Sequence, residues 1–191
     1  MKHDLITRWL HAAIAVAITF QLLVSQLMAA PEPGHPSAGF GAWAYDAHEA
    51  VGLTVLGLLV LHWLWKFTGH VYGGMGRLFP WFSAIRRREI GEELKLLTAR
   101  RFRDIPERGA LAGAVHGLGL LAATAMAVTG GAIFLGMGEN GGMSASIHVV
   151  REIHEFIANF MWAYLIGHAG MAVLHQWLGH RTLSDMFRLR N

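Results

Sequence analysis

Four long apolar runs leave this chain few ways to fold. They cover residues 10–30, 48–67, 110–135 and 153–178. Each reaches the roughly 20 residues a helix needs to cross a bilayer. Glycine and other small residues recur inside them, as close helix contacts in membranes require. Of the 191 residues 53% are hydrophobic and 15% charged, too apolar a mix for an ordinary soluble domain. The expected fold is an all-α integral membrane protein. It is a four-transmembrane-helix bundle in a single domain, residues 1–191.

The first run also has the look of a signal peptide. Lys2 and Arg8 precede it, and Leu27-Met28-Ala29-Ala30-Pro31 offers a small-residue cleavage site. Its apolar stretch exceeds the usual h-region of about 7–15 residues, and a signal peptide has no use for His11. It is therefore read as a retained span.

Charge sets the expected orientation. Fifteen of the sixteen Lys and Arg residues lie at the N-terminus (Lys2, Arg8), between Lys66 and Arg108, or in the tail (Arg181, Arg188, Arg190). Segments 31–47 and 136–150 carry none, and only Arg151 lies on that side. The positive-inside rule then puts both termini and the loop 68–109 in the cytoplasm. The net charge of +3 is explained by orientation, so nucleic acid is not an expected partner. Pro31-Glu32-Pro33-Gly34 and the glycine-rich stretch from Gly136 to Gly142 open the outer loops as turns. In the inner loop Ile90, Leu94 and Leu97 recur at helical spacing, after Phe79, Trp81, Phe82 and Arg86-Arg87-Arg88. This predicts an additional amphipathic cytoplasmic helix on the inner membrane surface.

Twelve histidines are distributed over this framework, and there is no cysteine. The absence of cysteine excludes thiolate-bound iron–sulfur clusters, Cys-ligated zinc and covalent haem attachment. His3, His35, His70, His148 and His180 fall in tails or loops. His11, His48, His62, His116, His154, His168 and His175 fall in the spans or at their ends. Ionisable groups inside a bilayer are costly and usually functional, and seven of them need more than incidental hydrogen bonding.

Their spacing points to a site. His48 and His62 are fourteen residues apart, and so are His154 and His168. Fourteen residues is close to four helical turns and roughly 21 Å of axial rise, so each pair shares a face and reaches toward both membrane surfaces. Facing helices of this kind suit two stacked haems, each iron held between two imidazoles. On the outer side His48 and His154 form the expected pair. Gly52, one turn on, leaves room for a flat macrocycle or serves helix packing. On the inner side His168 has three candidate partners. His62 completes the spacing seen in the four-histidine cage of respiratory-complex cytochrome b. His11 and His116 are the others.

Several short motifs add a resemblance. Arg8-Trp9-Leu10-His11, His48-Glu49-Ala50-Val51-Gly52, His116 fourteen residues before Gly130, and His154-Glu155-Phe156-Ile157-Ala158-Asn159 followed by Gly167-His168, His175 and Thr182-Leu183 stand in order along the chain. Together they resemble the bacterial cytochrome b561 and nickel-hydrogenase b-type cytochrome family. The resemblance covers all four spans but not the inner loop. It implies a four-helix bundle with two non-covalent b haems, one on His48 and His154 and the other on His11 and His168. Many members carry an arginine where this chain has His62, which leaves His62 for a haem propionate or a quinone.

Iron with both axial positions filled by histidine suits electron transfer rather than oxygen binding. The resemblance implies exchange with the membrane quinone pool. The electron donor would be an outer-side partner, a hydrogenase, dehydrogenase or cytochrome. A superoxide oxidase passing electrons to ubiquinone is the alternative. Superoxide is an anion that positive surface would gather, and the outer side offers Arg151 against Glu32, Asp46 and Glu139. Arg8 and Arg151 are candidate propionate partners, and His116 and His175 candidate proton donors. A histidine-rich metal transporter is a more distant reading, since such sites combine histidine with buried carboxylates. Here Glu49 and Glu155 sit at span ends.

Overall fold

Asp4 starts the first helix. Its carboxylate accepts the Thr7 N–H at 2.8 Å and the Thr7 hydroxyl at 2.7 Å, which satisfies an otherwise orphaned donor of the first turn. It also accepts the Trp65 indole N–H at 3.2 Å. Burial alone would raise the Asp4 pKa, but these hydrogen bonds hold it below the ordinary carboxylate value.

The computed structural model describes residues 4–33, 37–68, 74–106, 109–138, 141–179 and 182–186. It is 83% helix. The elements are α1 (Leu5–Val24), α2 (Gly39–Phe67), α3 (Gly74–Leu78), α4 (Ala84–Thr98), α5 (Ala110–Gly136), α6 (Ala145–Trp177) and α7 (Thr182–Met186). Short 3₁₀ turns at Pro80–Phe82 and Phe102–Asp104 flank α4. Among the described residues there is no strand, and Met137 and Met143 form an isolated bridge.

Four helices, α1, α2, α5 and α6, are long and apolar enough to cross a membrane. Large apolar side chains stand outward on them, including Val16 at 69% and Phe156 at 75% exposure. Such surface suits lipid, not water.

The helix limits differ from the apolar runs. α1 begins at Leu5 because Asp4 caps it, and it ends at Val24, where the chain turns through Ser25–Leu27. Ala29 then donates its N–H to the Gly41 carbonyl at 3.0 Å. α2 starts at Gly39 and α6 at Ala145, each well before its apolar run. Ser144 accepts the Ile147 N–H at 3.4 Å at the start of α6. His148 therefore lies on a helix rather than in a loop, exposed. His3, His35, His70 and His180 lie outside the described residues, as do Lys2, Glu139 and the tail arginines.

Chain proximity divides the molecule into two compact units. One comprises Leu10–His62 and Ala122–Leu165. Its interior holds Leu22, Ala44, Val55, Leu59, Ala123 and Met161. There the Gln21 amide donates to the His48 carbonyl at 2.7 Å.

The other comprises Met1–Trp9, Trp63–Leu121 and Ile166–Asn191. Its best-defined polar contact joins α4 to α5. The buried Glu93 carboxylate accepts the N–H groups of Ala110 at 2.9 Å and Leu111 at 3.0 Å, capping α5 from outside its own helix. A Cβ on Gly109 would collide with that carboxylate. Gly113 and Gly117 let the carbonyls of Arg77 and Leu78 lie directly on α5. Trp63 stacks on Phe79 with centroids 6.3 Å apart.

The inner-loop helix forms where its spacing predicts one, with Ile90 and Leu97 half-buried. Leu94 is exposed and Glu93 is buried, because the carboxylate is needed at α5.

Candidate functional site

In the unit that holds it, His154 of α6 is fixed by its neighbour on α5. Thr129 Oγ1 lies 2.8 Å from His154 Nδ1, 2.7 Å from the Ala125 carbonyl and 3.1 Å from the Met126 carbonyl. A hydroxyl has one proton, and a carbonyl can only accept. With the Thr129 proton on its own helix backbone, its lone pair would face His154 and Nδ1 would carry the imidazole hydrogen, with the Met126 carbonyl as a further acceptor beside the ring. Nε2 is left with a free lone pair, the state that a metal ligand requires. Gly130 makes the space, since a Cβ there would stand 3.1 Å from His154 Cε1.

His48 of α2 faces this ring. The two ring centroids are 6.4 Å apart and the planes meet at 83°. A metal–imidazole bond is about 2 Å and a ring nitrogen lies roughly 1 Å from its centroid, so rings on opposite sides of one metal would sit about 6 Å apart. Among the described residues nothing hydrogen-bonds His48 Nδ1. Gly52 does not open space for a macrocycle here. A Cβ on it would meet the Gln21 amide nitrogen at 2.9 Å, and that amide holds the His48 carbonyl.

The other unit holds a different histidine contact. His116 of α5 and His168 of α6 meet edge to face, with centroids 5.0 Å apart and planes at 88°. That is tighter than the separation expected across a metal. His116 Nδ1 donates to the Ala112 carbonyl at 2.6 Å, one turn back. His11 and His62 are half-buried on α1 and α2, and His175 is half-buried on α6.

Of the two arginines, Arg8 is only 3% exposed at the start of α1. Arg151 pairs with Glu155 at 3.3 Å. Glu49 and Glu155 fall inside α2 and α6 rather than at their ends, because both helices begin earlier than their apolar runs. Among the described residues no three His, Asp or Glu side chains gather as a metal-ion site.

The family model for prokaryotic cytochrome b561 matches residues 2–189, nearly the whole chain. The chain belongs to that family. No curated protein and no solved structure matches it. Membership makes this cytochrome a multi-pass membrane protein that binds b-type haem and takes part in electron transfer. Its residues fit such a group. The His48 and His154 ring centroids have the spacing of two imidazoles on one iron, and with the Thr129 hydroxyl as acceptor His154 would keep a nitrogen free to ligate.

Two residues beside these histidines, Thr129 and Gln21, are not among those expected from the sequence. Thr129 is twenty-five positions from His154 on another helix, with no local signal to join them. Gln21 was detectable, as an amide inside an apolar span.

Proposed function

We propose that this protein is a transmembrane dihaem b-type cytochrome that transfers electrons between a donor protein on the outer face and the quinone pool. The opposed pair His48 and His154 carries this reading. These two would hold one haem b, and His11 and His168 the other. Haem, when bound, supplies one-electron transfer. With histidine on both axial positions no site remains for oxygen, which favours a conduit over an oxygen-binding protein.

The protein's own groups do the rest. Apolar spans keep water from the haems, and Arg8, buried near the inner end of α1, suits a haem propionate. The whole chain, residues 1–191, would act as one unit with both termini in the cytoplasm of a bacterial inner membrane, following its basic residues. Helix α4 would lie along the inner surface. Phe82 and Ile85, 82% and 74% exposed, would enter the lipid beside Arg86, Arg87 and Arg88.

A protein donor is preferred to superoxide. The outer side has only Arg151 to attract a small anion, and Glu155 offsets its charge.

The test is spectroscopic. Protein purified after haem-replete expression should carry two haems per chain, and a quinol should reduce them in detergent or liposomes. A haem-free protein would overturn the cytochrome assignment to these residues, and haems inert to quinol would remove the quinone. Enzymatically generated superoxide with ubiquinone should give no protein-dependent quinol, and catalysed formation would restore the superoxide oxidase.

A further inference from the structure

We propose that Thr129 is a positioning residue for His154. It holds the imidazole as the Nδ1–H tautomer and lowers the reduction potential of the haem that His48 and His154 would share. The inference rests on the reading of His154 as an axial ligand.

The geometry supplies each step. Thr129 bonds back to Ala125 at 2.7 Å, which orients the hydroxyl and turns a lone pair toward His154 Nδ1 at 2.8 Å. Threonine back-bonding of this kind is a normal fate of a hydroxyl within a helix. Its use here is the second contact, which reaches another helix. Gly130 leaves the ring edge room to approach, with space for no Cβ without displacement of His154 Cε1. Threonine supplies the acceptor and glycine the clearance, on adjacent residues of α5.

An acceptor on Nδ1–H has an electronic effect. It draws the proton outward and makes Nε2 a stronger donor, which stabilises ferric over ferrous iron. His48 has no such contact among the described residues, so the two ligands of this haem differ in basicity. The half-buried hydroxyl also disfavours turning the ring over, since a flipped ring would leave Thr129 facing carbon.

The experiment compares Thr129→Val, Thr129→Ala and Thr129→Ser in the full-length protein, each read by haem content, redox titration and low-temperature EPR. Valine keeps the shape and removes the acceptor, and alanine repeats the deletion without a branched side chain should valine not fold. Both should retain wild-type haem content, raise one midpoint potential and alter one low-spin EPR signal. Serine keeps the hydroxyl and should leave potential and signal near wild type. Unchanged potentials in the valine or alanine variant would overturn the proposal. So would a serine variant shifted as far as valine. His154→Ala separates this from the underlying reading. If that variant keeps every haem with unaltered spectra, His154 is not a ligand and both fall. If it loses a haem while Thr129→Val shifts nothing, only the role of Thr129 falls.

Discussion

The histidine contacts of the two units are built differently. His48 and His154 stand 6.4 Å apart, face across a gap, and are steadied from behind by neutral groups, Gln21 and Thr129. His116 and His168 touch at 5.0 Å, and their unit is held by carboxylates, Glu93 on α5 and Asp4 on α1 and Trp65. A pair held apart can share a metal. A pair in contact leaves no such gap between its rings.

The largest effects should come from testing that difference directly. His154→Ala and His48→Ala should each lose one haem, read as about half the reduced-minus-oxidised absorbance per protein. His168→Ala should lose the other, while His116→Ala should keep both. Loss of a haem in His116→Ala would make the two contacts equivalent and break the comparison.

A second comparison sharpens the inner ligand set. His11→Ala should lose a haem and His62→Ala should not. The reverse would restore the repeated fourteen-residue cage on α2 and α6.

A smaller effect concerns stability. Glu93→Ala removes the acceptor of two buried N–H groups and should cost about 1–2 kcal/mol. The readout is a lower thermal midpoint and faster proteolysis between residues 99 and 109, with the His48–His154 haem spectrum unchanged. A spectral change would show that the two contacts are not independent.

The smallest is a pH effect. The folded Asp4 carboxyl lies below its ordinary pKa, so it contributes stability above the unfolded value. That contribution is lost as pH falls through the folded value. Asp4→Asn should therefore be less stable than wild type at neutral pH, with the gap closing in acid below about pH 4. A gap that persists unchanged in acid would show that the Asp4 charge is not its source.

The sequence announced the four long helices because bilayer length and apolar composition are properties of a single segment. It misjudged their ends because caps are local and polar. Asp4 and Ser144 lengthen α1 and α6 beyond their apolar runs, and the Ser25–Leu27 turn shortens the far end of α1. The candidate ligands were legible as histidines inside apolar helices. Thr129 was not, because a threonine in a span most often just bonds its own backbone. On α4 the helical spacing was legible, but the docking of Glu93 on the third long helix was not, since its partners are backbone N–H groups seventeen residues on.

The Glu93 contact also governs how far this protein can be remodelled. The first turn of α5 is finished by a side chain seventeen residues upstream, and Gly109 must stay bare for it to dock. Residues 93–111 are thus a joint rather than a tether. A chimera that exchanges the inner loop for a relative's must transplant Glu93 to Leu111 as a block, and must keep the backbone at Arg77 and Leu78 that lies on α5.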